Sequence, residues 1–219
     1  MCNLYRMTTN ADAMRQLFGP LETSGANIAA MDEIYPEAFA PVIVTAAAGG
    51  WRRLETMRWG WPPFGEIKRP ITNVRNRASP MWRSALADPA RRCLVPATAF
   101  SEWSAKPDPV TGKKRKHWFA MVDDSPFAFA GLWRPTASGP RFAFLTAAPN
   151  ALVGAIHPKA MPVLLTPGAL ADAWLNGDSA AAAAMQQPFP DDRMRELAIE
   201  EPASANAPAH CPREPDLFG

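Results

Sequence analysis

The residue types best suited to covalent chemistry stand at the start of this chain, where Cys2 follows Met1 directly. Removal of Met1 would leave a thiol and a free α-amine on adjacent carbon atoms. Such a 1,2-aminothiol captures an aldehyde twice, because the amine forms an imine and the sulfur then closes a five-membered thiazolidine ring. At pH 7 roughly 14% of an α-amine is neutral, against about 0.04% of a lysine side chain, so the terminus is the better nucleophile. The alternative is that Cys2 is one more small buried apolar residue.

Three polar residues elsewhere could assist such a reaction. Asn73 offers both a donor and an acceptor, which suits the orientation of an amine or a sugar hydroxyl. Glu102 follows an apolar stretch, and desolvation there would raise its pKa towards the range that a general acid or base needs. His157 lies in a proline-containing loop between a predicted helix and an apolar strand. Each also has a structural alternative: a solvated turn, a surface glutamate at a strand end and a loop histidine.

Tryptophan and arginine suggest a surface for nucleic acid. The chain has 8 tryptophans, and exposed ones beside arginines would provide the stacking and phosphate contacts that single-stranded nucleic acid uses. Some of these tryptophans must instead belong to the core. The basic stretch 113–116 is interpreted as a solvated loop that could add nonspecific attraction to phosphate. The candidate DNA-binding residues are Arg58, Trp59, Trp61, Arg75 and Arg77.

Length and composition narrow the class of protein. With 219 residues, 47% hydrophobic and 20% charged, the chain suits one globular domain. No apolar stretch approaches the roughly 18 residues of a membrane helix, and the start lacks a signal-peptide core, so we expect a cytoplasmic protein. The 3 cysteines show no paired spacing, which argues against a structural zinc site and fits free thiols in a reducing compartment. We expect no metal and no cofactor. A net charge of +2 permits nucleic-acid binding without arguing for it.

The pattern of short apolar stretches predicts the fold class. The 24 prolines favour many short elements joined by ordered turns. A helix is predicted at 11–18. The apolar stretch 93–103 is predicted as one strand interrupted at Pro96, which indicates a bulge or an edge position there. Residues 117–122 and 127–133 are predicted to pair as a hairpin across the turn between them.

Strands outnumber long helices and follow one another as hairpins. We therefore predict an α+β fold, a single domain over residues 1–219 with a mostly antiparallel, barrel-like or two-sheet β core and short peripheral helices. Residues 188–219 are rich in proline and are predicted to pack on this domain as a tail.

Taken together, these motifs resemble the SOS response-associated peptidase (SRAP) family, whose members form covalent crosslinks with abasic sites in single-stranded DNA. Their order and spacing match over nearly the whole chain. The matching stretches are Met1-Cys2, Arg58-Trp59-Gly60, Asn73-Val74-Arg75, Cys93-Leu94-Val95-Pro96, Glu102-Trp103, His157, Met161-Pro162-Val163 and Trp174-Leu175.

The resemblance implies a role for each candidate residue. Cys2 would be the nucleophile through its α-amine and thiol, and Asn73 would orient that terminus and the opened sugar. Glu102 would shuttle protons, while His157 would hydrogen-bond the sugar oxygen or the adjoining phosphate. Arg75 would hold a DNA phosphate.

The resemblance also implies a setting for this chemistry. The chain would cleave itself in front of Cys2, a peptidase activity, and would act in the SOS response to DNA damage with lyase-like chemistry. Its partner would be single-stranded DNA containing abasic sites. We expect a monomer that binds no membrane and is associated with the nucleoid when bound to DNA.

The chain also departs from the family pattern. Asn3-Leu4 stands where Gly-Arg is typical, and Arg77 replaces an acidic residue. The usual aromatic pair after the Trp-Gly motif is reduced to Trp61 and Phe64, and the loop from His157 to Met161 is one residue longer.

Two alternative functions stay open. One is an N-terminal-nucleophile cysteine peptidase or amidase that acts on external substrates. The other is a noncatalytic DNA-binding module, for which blocking the Cys2 amine would leave DNA affinity unchanged.

Overall fold

The structure, a computed structural model, describes residues 2–23, 29–46, 51–63 and 65–197. Predictions that concern Met1, Phe64 and residues 198–219 therefore lie outside the described residues. Of the tail predicted at 188–219, the described part contains one short strand, which joins a sheet.

The smaller of two sheets carries the start of the chain. Its strands, in chain order, are β1 (Tyr5–Met7), β3 (Met31–Ile34), β8 (Ala99–Trp103), β9 (Lys116–Met121) and β14 (Met194–Glu196). Across the sheet the order is β14-β9-β8-β1-β3, and every neighbouring pair is antiparallel. β1 and β8 are therefore neighbours although more than 90 residues separate them in sequence.

The larger sheet closes on itself. Its strands are β2 (Leu21–Thr23), β4 (Phe39–Thr45), β5 (Arg52–Trp59), β6 (Asn73–Val74), β7 (Arg92–Ala97), β10 (Phe127–Arg134), β11 (Arg141–Ala147), β12 (Met161–Pro162) and β13 (Leu164–Leu165). The main path runs β12-β11-β10-β7-β4-β5-β2, and a further parallel pairing of β11 with β5 forms a ring of strands. β6 pairs with β11 in parallel, while most other pairings are antiparallel.

Short helices lie around these sheets. They are α1 (Ala11–Phe18), α2 (Pro80–Ala87), α3 (Ala151–Ile156), α4 (Ala169–Asn176) and α5 (Ser179–Ala184), with single 3₁₀ turns at Pro89–Arg91 and Asp191–Arg193. α1 has the bounds predicted from sequence: Asn10 caps it by accepting from the Ala13 N–H, and it ends before Gly19, whose φ of 83° suits glycine. No helix within the described ranges is long and apolar enough to cross a membrane.

The predicted fold class is confirmed, since two mainly antiparallel sheets with small helices share one apolar core. One prediction of strand pairing is wrong. β9 and β10 do not form a hairpin, because β9 pairs with β8 and β14 in the smaller sheet while β10 pairs with β7 and β11 in the larger one. The stretch 93–103, predicted as one interrupted strand, is two strands divided at Thr98, where the chain passes from one sheet to the other. Pro96 itself lies at an edge, which is one of the two positions predicted for it.

Pro96 is tolerated inside β7 for a simple reason. β4 pairs with β7 only at Cys93 and Leu94, so β7 has an unpaired edge at Pro96. A residue without an N–H is accepted at such an edge.

Candidate active site

The pairing of β1 with β8 brings Cys2 beside Glu102. Tyr5 lies opposite Phe100, and the Ser101 N–H donates to the Leu4 carbonyl at 3.0 Å. Because the strands are antiparallel, residues just before β1 run alongside the last residues of β8. The negative charge of Glu102 accordingly acts on the Cys2 thiol.

Cys2 is fully buried, with a relative exposure of 0%. Its Sγ donates to the Leu4 carbonyl oxygen at 3.4 Å. Burial, followed by the charge of Glu102, raises the pKa of the Cys2 thiol well above its ordinary value. The sulfur is therefore a neutral thiol at pH 7 and not a preformed thiolate.

Asn73 holds the main chain of Cys2. β6 places Asn73 opposite Phe144 of β11, where it is 7% exposed. Its Nδ2 donates to the Cys2 carbonyl oxygen at 3.1 Å and to Thr72 Oγ1 at 2.7 Å. Its Oδ1 is buried and has no hydrogen-bond partner among the described residues. Asn73 therefore holds the main chain of Cys2 and keeps one acceptor available.

Replacement of Asn73 by alanine should slow any reaction at Cys2, because the carbonyl that Nδ2 holds would lose its donor. If Cys2 crosslinks to abasic DNA, as the family resemblance implies, we expect that reaction to slow by about tenfold to a hundredfold, and the free energy of unfolding to fall by about 1–2 kcal/mol. Single-turnover crosslinking and urea denaturation would measure the two effects. A matched variant, Asn150→Ala, removes a half-buried side-chain amide that caps α3. It should lower the free energy of unfolding without a comparable loss in the rate of crosslinking. Equal rates for the wild type and Asn73→Ala would contradict this role.

His157 also lies close to Glu102. It follows α3 directly, and its N–H caps that helix by donating to the Val153 carbonyl at 2.7 Å. His157 Nε2 lies 3.7 Å from Glu102 Oε2, within ion-pair range but too far for a hydrogen bond. Burial is the main cause of a lowered pKa for His157. The imidazole is therefore mainly neutral at pH 7.

Glu102 is the group of this site that can exchange a proton near neutrality. Its side chain is 2% exposed, and burial raises its pKa from the ordinary 4.5 to about 7. About half of the carboxyls are therefore protonated at pH 7, as a general acid and base requires. The sequence predicted this raised pKa on the condition that Glu102 was desolvated.

The raised pKa of Glu102 should make the fold less stable as pH rises. Below pH 4.5 the carboxyl is protonated in both states; above it, the unfolded chain releases the proton while the folded chain retains it up to about pH 7. Stability is thus lost across that window, on the order of 3 kcal/mol in total. The Glu102→Gln variant is neutral throughout, so at about pH 8 it should be more stable than the wild type, with little difference at about pH 4.

Urea denaturation of both proteins at the two pH values would measure this effect. Both retain His157, whose lowered pKa produces the opposite trend, with stability lost as pH falls. A stability difference that does not change with pH would contradict the assignment.

The two predicted DNA-binding tryptophans are core residues. Trp59 is 0% exposed, stacks on Phe142 and Phe144, and donates from Nε1 to the Thr72 carbonyl at 3.2 Å. Trp61 is 2% exposed and packs against Trp82. Their burial leaves almost no ring surface for a DNA base, so both require correction from stacking to structural residues.

The predicted arginines lie in different surroundings. Arg58 is half-buried and lies 3.5 Å from Glu37, so its charge is partly neutralised. Arg75 and Arg77 are exposed beside Asn73. Arg75 donates to the Lys159 carbonyl in the loop after His157. This hydrogen bond joins the segment of Asn73 to the loop of His157.

Gln186 positions this segment, a role that the sequence did not indicate. Its Nε2 donates to the carbonyl oxygens of Arg75 at 2.9 Å and of Thr146 at 2.7 Å, and its Oε1 accepts from Arg77 at 2.7 Å. Gln186 follows α5, more than 100 residues from Asn73.

Among the described residues, no group of three or more His, Cys, Asp or Glu side chains could hold a metal ion.

Comparisons with known proteins show the family of this chain. The sequence profile of the family described as SOS response associated peptidase (SRAP) matches residues 1–203. The abasic site processing protein YoqW of Bacillus subtilis (strain 168) is 31% identical over 185 residues, which cover 78% of this chain and 78% of that protein. The protein of the same name from Bacillus phage SPbeta matches to the same extent.

Crystal structures of similar fold also match. A Bordetella bronchiseptica protein is 27% identical with a TM-score of 0.71, covering 91% of this chain and 100% of that chain. A Bacteroides thetaiotaomicron protein is 21% identical with a TM-score of 0.73, covering 89% of this chain and 90% of that chain. The second similarity bears on the fold alone.

Proposed function

This chain belongs to the SOS response associated peptidase (SRAP) family, as its motifs predicted, and from that premise we propose that it processes abasic sites by covalent capture. The substrate is the ring-opened aldehyde of an abasic deoxyribose in single-stranded DNA. The nucleophile is Cys2 after removal of Met1.

One observation carries the proposal: four side chains that could perform this chemistry meet at one place. Asn73 Nδ2 lies 3.1 Å from the Cys2 carbonyl oxygen, and the charge of Glu102 acts on the Cys2 thiol. His157 Nε2 lies 3.7 Å from Glu102 Oε2. Removal of Met1 breaks the peptide bond at the Cys2 nitrogen and so creates the α-amine that must react.

In the first step the neutral α-amine adds to the aldehyde carbon. The resulting carbinolamine loses water to give an imine, and protonated Glu102 donates the proton that lets the hydroxyl leave. A pKa of about 7 supplies both the acid and its conjugate base at neutral pH. Neutral His157 can hydrogen-bond the sugar oxygen or adjoining phosphate as charge develops.

In the second step the thiol adds to the imine carbon. A carbon–sulfur bond forms, the sulfur loses its proton, and the imine nitrogen gains one. The net reaction joins amine, thiol and aldehyde into a thiazolidine and releases one water, so no oxidant or cofactor is required. The raised pKa of the Cys2 thiol suits this order, in which the amine reacts before the sulfur.

We further propose that the same groups cleave the chain in front of Cys2, which is the peptidase activity of the family name. Hydrolysis of external amides is the second candidate. A cysteine peptidase relies on a thiolate, usually obtained by lowering the thiol pKa. Burial and Glu102 raise the pKa of the Cys2 thiol instead, which favours aldehyde capture over turnover of external substrates.

Arg75 should contribute to DNA affinity through phosphate. Arg75 is exposed next to the site. Its guanidinium has five N–H donors, and one of them, on Nη1, donates to the Lys159 carbonyl. For the Arg75→Ala variant we expect weaker binding to undamaged single-stranded DNA and a log affinity–log salt slope reduced by about 0.7. Fluorescence anisotropy over a range of salt concentrations would measure it. An unchanged slope would exclude a phosphate contact at Arg75.

A denaturing gel tests the proposed function. Wild-type protein is incubated with a single-stranded oligonucleotide that contains one abasic site, or with the same strand carrying a tetrahydrofuran abasic analogue, which has no aldehyde. We expect a slowly migrating, denaturant-resistant complex with the first strand and none with the second. No complex with either strand would refute covalent capture.

A further inference from the structure

A cavity that shares no residue with the candidate active site lies between α2 and the end of β10. Its volume is about 430 Å³, within the range of ligand sites in proteins. The residues of its wall that matter here are Trp61, Ser84, Asp88, Arg91, Trp133 and Arg134.

Two arginines of this cavity lie over tryptophan rings. Arg134 Cζ lies 4.4 Å from the ring centre of Trp61, and Arg91 Cζ lies 5.2 Å from that of Trp133. These cation–π contacts fix the guanidinium groups before a ligand arrives, which lowers the entropic cost of binding.

The charge of Arg134 is not neutralised. Its guanidinium has no ion pair or hydrogen bond within the described part of the chain, and its partner across the β10–β11 ladder is another arginine, Arg141. Arg141 is already engaged by Glu37 at 2.6 Å. Arg91 has only a distant contact with Asp88, at 3.9 Å. The cavity thus has two cations and one carboxylate.

The wall also contains donors without acceptors. Trp61 Nε1 and Trp133 Nε1 are buried and have no hydrogen-bond partner among the described residues. An unpaired buried donor costs free energy that a ligand oxygen could recover. Since Trp61 is 2% exposed and already contacts Arg134 and Trp82, it offers no stacking surface for a base. This chemistry favours a compact oxyanion such as phosphate over an aromatic ligand.

The chain path connects this cavity to Cys2. The main chains of Trp61 and Ile71 are joined by two hydrogen bonds, each with an N···O distance of 3.0 Å. Ile71 lies two residues before Asn73 in the chain. After Asn73 the chain passes through the exposed Arg75 and Arg77 into α2, which walls the cavity. A strand held at Cys2 would therefore meet basic side chains in the direction of the cavity.

We propose that this cavity binds a phosphate group of the single-stranded DNA whose abasic sugar lies at Cys2. The assignment rests on the proposed function for its ligand. Trp61 then contributes to DNA binding through Arg134, whose guanidinium it orients, and not by stacking on a base.

The test compares the affinities for a short and a long strand of undamaged DNA. Undamaged DNA has no aldehyde, so covalent capture cannot contribute to the measured affinity. Affinities for strands of about 5 and about 15 nucleotides are measured by anisotropy for the wild type and Arg134→Gln. The variant should bind the long strand about fivefold to tenfold more weakly, with a salt slope lower by about 0.7, and should bind the short strand normally. Arg91→Gln is a second variant, which replaces Arg134→Gln if that protein folds poorly. It should show the same weaker binding of the long strand and normal binding of the short one.

Arg195→Gln is the matched control, because Arg195 is a partly exposed arginine of the smaller sheet, paired with Asp124. It should leave both affinities unchanged. Equal loss for both strand lengths, or no loss, would overturn the proposal. Saturable binding of inorganic phosphate that Arg134→Gln abolishes, without any effect on DNA, would make the cavity a site for free phosphate and overturn its assignment to the strand.

The gel assay on the same wild-type preparation separates this proposal from the proposed function. Crosslinking with no dependence on Arg134 would refute the cavity alone. A length-dependent effect of Arg134 without crosslinking would support the phosphate site and count against capture at Cys2.

Discussion

We expect the Cys2→Ala variant to lose the denaturant-resistant complex with abasic single-stranded DNA, with a yield at least about a hundredfold below that of the wild type. Alanine removes the sulfur that closes the thiazolidine. After removal of Met1 the variant still has an α-amine, so it should form a reversible imine. Borohydride reduction should trap that imine as a stable adduct, whereas the wild-type complex should survive without borohydride.

Cys93→Ala is the matched control for this experiment. Cys93 is also free and 0% exposed, but it lies in β7. Its replacement should leave crosslinking unchanged once stability is taken into account. A stable complex formed by Cys2→Ala without borohydride would show that the sulfur of Cys2 is not needed.

The second large effect should come from Glu102→Gln, an isosteric change that removes the titrating proton. We expect the rate of crosslinking to fall by about a hundredfold to ten-thousandfold, the usual contribution of a positioned acid or base. The pH profile gives the sharper test. With wild type the rate should pass through a maximum between about pH 7 and about pH 8 and fall above it, because Glu102 loses the proton that it donates while the α-amine becomes neutral.

The Glu102→Gln variant should lack this falling limb, while the rise at lower pH, due to deprotonation of the α-amine, should remain. Glu55→Gln is a suitable control, since Glu55 is a half-buried carboxylate paired with Arg53 on β5. It should retain the wild-type profile. A falling limb that survives in Glu102→Gln would assign the proton transfer to another group.

Much of the site was predictable because its residues have uncommon chemistry in short, recognisable motifs. Cys2 behind Met1, Asn73 in its polar stretch and Glu102 at the end of an apolar strand were all identified from sequence. What the sequence lacked was the register that joins them. That register is set by the pairing of β1 with β8 and by the hydrogen bond from Asn73 to Cys2.

The errors have a common physical origin in long-range pairing. The turn signals between β9 and β10 correctly predicted that a turn separates two strands, but such signals do not determine which strands pair. In the same way, a tryptophan close to an arginine in the sequence can belong either to an exposed stacking surface or to the hydrophobic core, and the sequence alone does not distinguish the two. Trp59 is buried because β5 closes the ring of strands against β11. Gln186 carried no local signal, since its partners are distant in sequence.

Mass spectrometry of the N-terminal peptide tests the central claim most directly. The protein is incubated with an abasic oligonucleotide, denatured, treated with a thiol-alkylating reagent and digested. We predict a peptide that begins at Cys2, carries the deoxyribose adduct with loss of one water, and does not take up the reagent because its sulfur is bonded to carbon. A peptide that retains Met1, or an adduct whose Cys2 thiol is still alkylated, would contradict thiazolidine capture.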